Sequence, residues 1–370
     1  MDTTQSQLAP ARSTQVAVAT ADRRAVLAGA MRLVALGLLP AAIAPALRAQ
    51  QSGGGLATRG PATAPPAMPG THLVLLGTRG GPGIDLTRSQ TASAVVVDGT
   101  PYLVDCGYGT VRQLVASNIG YLRVGQVFFT HLHDDHTADF PALLAFQWTN
   151  GRTGPTDAYG PYGTTRLVEA AIASFRNNVE IRSVDEGRSN KPELLYHGHD
   201  VDVSATPVQV FRDERVTVTA IENTHYPARS TAKMPHRALA LRFDTKGRSI
   251  VFSGDTAYSA NIVRLAKDAD VFVCEIMDDG VHAQMLERAR AASAEGNTES
   301  IFRHVAETHS PPGDVARMAS EAHVRSVVLN HQLPGASPPN GLAYGVSAFI
   351  DGVRKGYPGE VIVGQDLMVL

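Results

Sequence analysis

The sequence predicts an α/β fold in which two sets of strands and helices pack as the halves of one sandwich. Short runs rich in Val, Leu or Phe, each closed by Gly, Asp or Pro, recur along the chain and predict strands. Helical patterns follow, most clearly near the C-terminus. No internal repeat is evident, but strands followed by helices twice over favour two stacked halves.

The first predicted strands form an antiparallel set. They lie at residues 72–76, 92–97, 102–105 and 126–130. Asp98-Gly99 separates the second run from the third, and this dipeptide is typical of a tight hairpin. We therefore expect neighbouring strands to pair in chain order at the start of the domain.

The rest of the chain continues the pattern with longer gaps. Residues 151–200 are less regular, with a strand predicted at 157–163 and a helix over 164–178. Helices are predicted at 299–307 and at 311–323, the latter with Ser310 as N-cap and Pro311 at its first position. The remaining strands are predicted at residues 208–210, 215–222, 238–243, 249–253, 271–275 and 326–330.

Residues 1–49 have the pattern of an export signal. Arg23 and Arg24 precede an apolar run over residues 25–46, and small residues near Ala49 offer a cleavage site. The pair favours a twin-arginine signal, with an ordinary secretory signal or an uncleaved anchor as alternatives. Residues 50–70 combine a glycine run with several prolines and predict a flexible linker. These features predict a periplasmic domain over residues 71–370 with no stable membrane span in the mature protein.

The charge of the chain argues against binding to polyanions, and its two cysteines are expected to be structural. Without residues 1–49 the chain has 28 basic and 33 acidic residues, a balance that gives no electrostatic reason to bind a polyanion. Cys106 and Cys274 lie in apolar strand-like runs and are expected to be buried free thiols. A periplasmic location would also permit a disulfide.

A histidine-rich turn follows the strand predicted at 126–130. It holds His131, His133, Asp135 and His136 within six residues. In a turn after a strand these side chains can converge, and imidazoles with a carboxylate suit Zn²⁺. A solvated polar loop is the alternative.

Three further ligand-type residues, His225, Asp255 and His331, each follow a predicted strand. Strand ends that meet at one edge of a fold bring their loops together, so the sequence predicts one shared rim. A single histidine in such a place usually only makes a hydrogen bond, but three ligand-type residues favour a metal site.

The segment 131–136 is similar to the HxHxDH signature of the metallo-β-lactamase superfamily, and the later His, Asp and His follow in that family's order. Residues 77–82, 105–107 and 253–256 further resemble its ribonuclease Z and arylsulfatase-like branch. The resemblance covers nearly all of residues 71–370. It implies a four-layer αββα sandwich that holds two Zn²⁺ ions, with other divalent metals possible.

The resemblance also implies which residues bind each metal. The first metal would be held by His131, His133 and His225. The second would be held by Asp135, His136 and His331, with Asp255 bridging the two.

The same resemblance implies supporting roles. Asp105 would orient ligand imidazoles through hydrogen bonds. His309 would assist departure of the leaving group. The predicted catalytic residues are Asp135 and His309. His236 is a weaker candidate for the substrate pocket. The other histidines are left outside the predicted site, namely His72, His197, His199, His282, His304 and His323.

Two metals about 3.5 to 4 Å apart can hold a bridging water and lower its pKa, so the implied reaction is hydrolysis of an ester-type bond. Candidate small-molecule substrates are aryl sulfates, phosphodiesters or phosphotriesters, and carboxylic esters or lactones. Residues 140–148 are rich in aromatic and apolar side chains, and either line an aryl pocket or form the buried face of a helix.

Nucleic acid is not an expected partner. Ribonuclease Z proteins use a long basic arm to grip tRNA, but only 30 positions separate His225 from Asp255. Asp134 and Asn330, both beside ligands, depart from the residues common in that branch and leave substrate choice open. Alternatives are an iron-dependent redox enzyme on the same fold and a metal-stabilised binding protein without turnover. The oligomeric state is open, although the resemblance allows a dimer.

Overall fold

The computed structural model describes residues 68–84, 86–291, 297–333 and 346–370. The predicted export signal at 1–49 and most of the predicted linker at 50–70 lie outside these ranges. None of the helices within the described ranges is long and apolar enough to cross a membrane.

Two sheets form the centre of the described domain. The strands of the first sheet are β1 Thr71–Gly77, β2 Ala92–Val97, β3 Thr100–Val104, β4 Gln126–Phe128, β5 Thr156–Gly160 and β6 Tyr196–Asp200. Those of the second are β7 Val208–Arg212, β8 Val216–Glu222, β9 Leu239–Thr245, β10 Ser249–Phe252, β11 Val271–Met277, β12 Ser326–Leu333 and β13 Glu360–Val363.

The helices of the described ranges connect and cover these strands. Those before β9 are α1 Thr110–Ala116, α2 Asp134–Thr137, α3 Phe140–Thr149, α4 Thr164–Ser174, α5 Arg176–Asp185 and α6 Ala228–Thr231. Those after β10 are α7 Ala260–Leu265, α8 Asp279–Ala291, α9 Asn297–Thr308, α10 Pro312–Glu321 and α11 Val346–Arg354.

Each sheet begins with antiparallel strands and ends with parallel ones. In the first sheet β1, β2 and β3 pair antiparallel, and β3 to β6 pair parallel. In the second sheet β7 to β10 pair antiparallel, and β10 to β13 pair parallel. Parallel neighbours need crossover connections, which the helices supply. This repeated order confirms the prediction of two stacked halves.

Side-chain alternation sorts the strands into layers. In β1, Leu73 and Leu75 face the core between the two sheets, whereas Val74 and Leu76 face the helices of the first half. In the second sheet, Val251 packs with the helices while its neighbours in β10 pack between the sheets. Three apolar cores therefore separate four layers, and the predicted αββα sandwich is confirmed.

The structure differs from the sequence-based expectations at several local points. The strand predicted at 126–130 was expected to pair antiparallel, but β4 pairs parallel with β3, because the connection through α1 crosses over between them. The helix expected over 164–178 breaks at Phe175, which packs into the first core and separates α4 from α5. The N-cap of α10 is Pro311, not Ser310, because the Ser310 hydroxyl donates to the Thr256 carbonyl oxygen at 2.6 Å. Strand β6 was not expected, since it is polar and mostly exposed.

Both cysteines are buried free thiols, as predicted. Cys106 follows β3 and packs in the core of the first half, and Cys274 lies in β11 in the core of the second half. Burial raises the pKa of both thiols well above the ordinary value, so both stay protonated and act as small apolar side chains.

An aromatic cluster lies in the core between the two sheets, and a substitution within it tests the packing of that core. Phe128 is fully buried, and the rings of Tyr159, Phe211 and Phe243 lie 5.3, 5.6 and 5.2 Å from its ring. We expect Phe128→Ala to lower the free energy of unfolding by about 3 to 5 kcal/mol, because it removes a large ring from a packed core. Urea unfolding in the presence of a chelator measures this without a contribution from metal binding. The control is Val184→Ala, at an 89% exposed position, which should change the free energy of unfolding by no more than about 0.5 kcal/mol. If Phe128→Ala lowers the free energy of unfolding by less than about 1 kcal/mol, the described packing is contradicted.

Candidate metal centre

The seven predicted ligands meet at one rim of the sandwich. His131 and His133 follow β4, and Asp135 with His136 lies in the short helix α2. The loops after β8 and β10 contribute His225 and Asp255, and β12 contributes His331. The structure thus brings together residues from both sheets.

A bulge in β12 positions His331. Glu275 of β11 pairs with Asn330, and the next residue of β11 pairs with Gln332, so His331 has no partner across the ladder. Its backbone has a φ of 37°, in the left-handed region that few non-glycine residues adopt. The extra residue lets the side chain leave the alternation of the strand and point to the site.

The first ligand group consists of three imidazoles. His131 Nε2 lies 3.0 Å from His133 Nδ1, which lies 3.2 Å from His225 Nε2. Nitrogens at tetrahedral positions around Zn²⁺ would be about 3.4 Å apart, given Zn–N bonds of about 2.0 to 2.1 Å. Burial lowers the pKa of all three histidines, well below the ordinary value for His131 and His225. They are therefore neutral, the state in which imidazole binds a metal.

The second group combines carboxylates with imidazoles. His331 Nε2 lies 3.1 Å from Asp135 Oδ2 and 3.2 Å from Asp255 Oδ1. His136 Nε2 lies 3.3 Å from the same Asp255 oxygen. Burial opposes ionisation of Asp135 and Asp255, but the neighbouring histidines outweigh it and lower the pKa of both carboxyl groups.

Unpaired buried atoms support a cation in the second group. His136 Nε2 and Asp255 Oδ1 are buried and have no hydrogen-bond partner in the part of the chain that the structure describes. Such atoms are costly unless a partner satisfies them. The other Asp255 oxygen lies 3.8 Å from His131 Nε2, in the first group. The residues therefore fit two divalent cations, and one Asp255 oxygen lies beside each ligand group.

Hydrogen bonds behind the ligands fix their orientation. His136 Nδ1 donates to Asp105 Oδ2 at 2.9 Å, and this carboxylate also accepts from the Thr130 amide at 2.8 Å and hydroxyl at 2.9 Å. His225 Nδ1 donates to the Thr308 carbonyl oxygen at 3.3 Å. These contacts leave the Nε2 lone pairs of both imidazoles free for a metal.

The loop after β1 packs its backbone against the second group. The Gly81 amide donates to Asp135 Oδ2 at 2.8 Å. A Cβ atom at Gly81 would lie 2.1 Å from that oxygen, and one at Gly80 would lie 2.9 Å from His331 Cε1. Only glycine permits this close approach.

His309 forms a buried pair with Glu275. His309 Nδ1 donates to Glu275 Oε2 at 2.7 Å, and the Thr256 amide donates to the other carboxylate oxygen. Burial disfavours the charged imidazole, but Glu275 outweighs it and raises the pKa of His309 to about 9. Sequence reasoning missed Glu275, although an acidic residue inside an otherwise apolar strand was the available signal.

Two other rings beside the first group were missed as well. The Tyr226 ring lies 5.0 Å from that of His225 and 5.5 Å from that of His133. The His304 ring lies 5.0 and 5.9 Å from the same two rings. Burial lowers the pKa of His304 to about 4, so its ring is neutral. Two features of the sequence could have indicated these rings. Tyr226 directly follows the ligand His225, and His304 lies one helical turn before Thr308, near the end of α9.

Other candidates belong to neither ligand group. His236 Nδ1 lies 3.2 Å from the Tyr162 carbonyl oxygen, and His236 belongs to neither ligand group. His197 and His199 are largely exposed and pair with Asp157. Of the two residues beside ligands that depart from the branch, Asp134 is exposed and Asn330 is buried.

The aryl-pocket interpretation of residues 140–148 is wrong. In α3 the side chains of Phe140, Leu143, Leu144 and Trp148 are buried in the core of the first half. Phe146 is 49% exposed, but it lines a different groove, with residues of α1. The alternative, a buried helix face, describes this segment.

Comparison with known proteins now identifies the family. A model of the β-lactamase superfamily domain matches residues 100–332, more than half of the chain. The chain belongs to the metallo-β-lactamase superfamily. The ligand groups and this membership together make it a hydrolase of that fold that depends on metal.

Individual relatives agree with the ribonuclease Z branch. The chain is 25% identical to the ribonuclease Z of Mycobacterium bovis (strain BCG / Pasteur 1173P2) over 300 residues, covering 80% of this chain and 96% of the relative. It is 28% identical to that of Methanosarcina mazei over 327 residues, covering 81% and 97%. The crystal structure of human tRNase Z, short form, superposes on this chain with a TM-score of 0.56 at 22% identity. The match covers 81% of this chain and 98% of the human chain, so the two proteins share the fold.

The close approach of Gly81 to Asp135 gives a test of the second ligand group. We expect Gly81→Ala to lose most of the metal of that group, because the new Cβ displaces the Asp135 carboxylate, while the three-histidine group keeps its metal. Elemental analysis of purified protein measures the metal-to-protein ratio. Gly83→Ala is the matched control, since its Cβ would meet only an Arg79 nitrogen at 3.9 Å; equal metal content in both variants would contradict the assignment.

Proposed function

We propose that this protein is a binuclear zinc hydrolase that cleaves small ester-type substrates. The candidates are aryl sulfates, phosphodiesters or phosphotriesters, and carboxylic esters or lactones. The observation that carries the proposal is the pair of adjacent ligand groups that share Asp255, with His309 beside them. The first group offers only imidazole nitrogen, which suits Zn²⁺.

Two cations at these groups would supply an activated water and would polarise the ester bond. The chain's own residues do the rest. Asp105 and the Thr308 carbonyl hold ligand imidazoles in one tautomer, and the Gly81 amide holds the Asp135 carboxylate. Because Glu275 engages Nδ1 of His309, the proton that His309 offers to a leaving group is the one on Nε2.

RNA is the second candidate substrate, because the curated relatives and the human structural neighbour are named as ribonucleases of RNA or tRNA. Two features favour small substrates. Between His225 and Asp255 the chain forms only the four-residue helix α6 and strands β9 and β10, which leaves no projecting arm. Residues 50–370 also carry more acidic than basic side chains. We further propose that residues 1–49 direct the protein to the periplasm.

A panel of chromogenic substrates tests the proposed reaction. We expect the zinc-loaded protein to hydrolyse at least one of 4-nitrophenyl sulfate, bis(4-nitrophenyl) phosphate and 4-nitrophenyl acetate. His131→Ala should lose metal and that activity together, because it removes a ligand of the first group, whereas His199→Ala at the exposed edge should keep both. Cleavage of a tRNA precursor without turnover of any small ester would overturn the proposal in favour of RNA.

The role of His309 predicts a dependence on the leaving group. We expect His309→Ala to keep its metal and to lower kcat by about 10²- to 10⁴-fold for an alkoxide or phenol leaving group. The loss should shrink for 4-nitrophenol, since a good leaving group needs little help from a proton. Rates of both proteins across a series of substituted phenyl esters measure how this loss depends on the pKa of the leaving phenol. An equal loss for all leaving groups would assign His309 to another role.

A further inference from the structure

Two rings that are not ligands stand beside the three-histidine group. Among the described residues, only Tyr226, His304 and His309 place non-ligand rings against ligand rings. His309 is engaged by Glu275, which leaves the other two without an assigned role. Each contacts both His133 and His225.

Both rings are more exposed than two of the three ligands, and the third ligand, His133, is half-buried as they are. His131 and His225 are fully buried, whereas Tyr226 and His304 are half-buried. They come from different elements, the loop after β8 and the last turns of α9. An ion pair at 2.6 Å between Arg229 of α6 and Glu307 joins α9 to the helix that follows Tyr226. Both rings therefore lie against the same two ligands, His133 and His225.

We infer that Tyr226 and His304 form an aryl-binding wall, and that they select esters with an aromatic group over alkyl esters. Aromatic rings pack well edge-to-face or offset on other rings and bury apolar area when they do so. The wall replaces the segment 140–148, in which Phe140 and Trp148 lie in the core and Phe146 lines a different groove. This inference rests on the proposed function, because it names the class of ester that the site takes.

Binding of inert ligands tests the wall without requiring turnover. Phenylphosphonate and methylphosphonate carry the same anionic group and differ in the ring. We expect the zinc-loaded full-length protein to bind phenylphosphonate about tenfold more tightly in calorimetric titrations. Tyr226→Ala and His304→Ala should each reduce this preference, while Tyr226→Phe should retain it and the affinity for methylphosphonate should stay unchanged.

Matched controls separate the wall from other roles. Tyr108→Ala removes a 51% exposed ring in a different groove and should leave the preference unchanged. Zinc content is measured on the same samples. If Tyr226→Ala and His304→Ala keep the phenyl preference, or if they lose zinc and both ligands together, the inference is overturned. If the preference depends on the wall but no ester is hydrolysed, the proposed function fails and the aryl-binding wall stands.

Discussion

The burial of Asp255 between two groups of histidines is the constraint on which the rest of the structure depends. A carboxylate that is 2% exposed is costly unless positive charge and hydrogen bonds compensate it. Histidines from both sheets surround it, and one of its oxygens has no hydrogen-bond partner among the described residues. We therefore expect cations to stabilise the site as well as to serve its chemistry. Three histidine rings, from both sheets, lie within 3.8 Å of this carboxylate.

Local sequence predicted most of the fold and the seven candidate ligands that the structure brings together at one rim, because each of these features is encoded nearby. Strands are short apolar runs, and each ligand follows one. The polar edge strand β6 has no such signal and was missed. The segment 140–148 is apolar on every side, so periodicity alone does not separate a pocket from a core helix.

Partners across long sequence separations were beyond local reasoning. The pairing of Glu275 with His309 depends on how the segment between α9 and α10 lies against β11, and no local motif records it. His304 belongs to the site only because the end of α9 lies beside ligands that come much earlier in the chain. Its helical spacing to Thr308 was the one local signal, and that spacing does not reveal which ligands lie beside the end of α9. Substrate choice resides in such contacts, which explains why the ligand set indicates a reaction class without naming the ester.

The distribution of ligands along the chain also sets an order in time. His131 and His133 are synthesised early, His225 completes the first group near the middle, and His331 completes the second only when β12 has been made. A nascent chain can thus build the three-histidine group well before the second. Because β12 is an inner strand of its sheet, the last ligand arrives together with the closure of the second half. Completion of the second ligand group is therefore a late event in biosynthesis, and any ion that this group binds can be held only after the second half of the domain has formed.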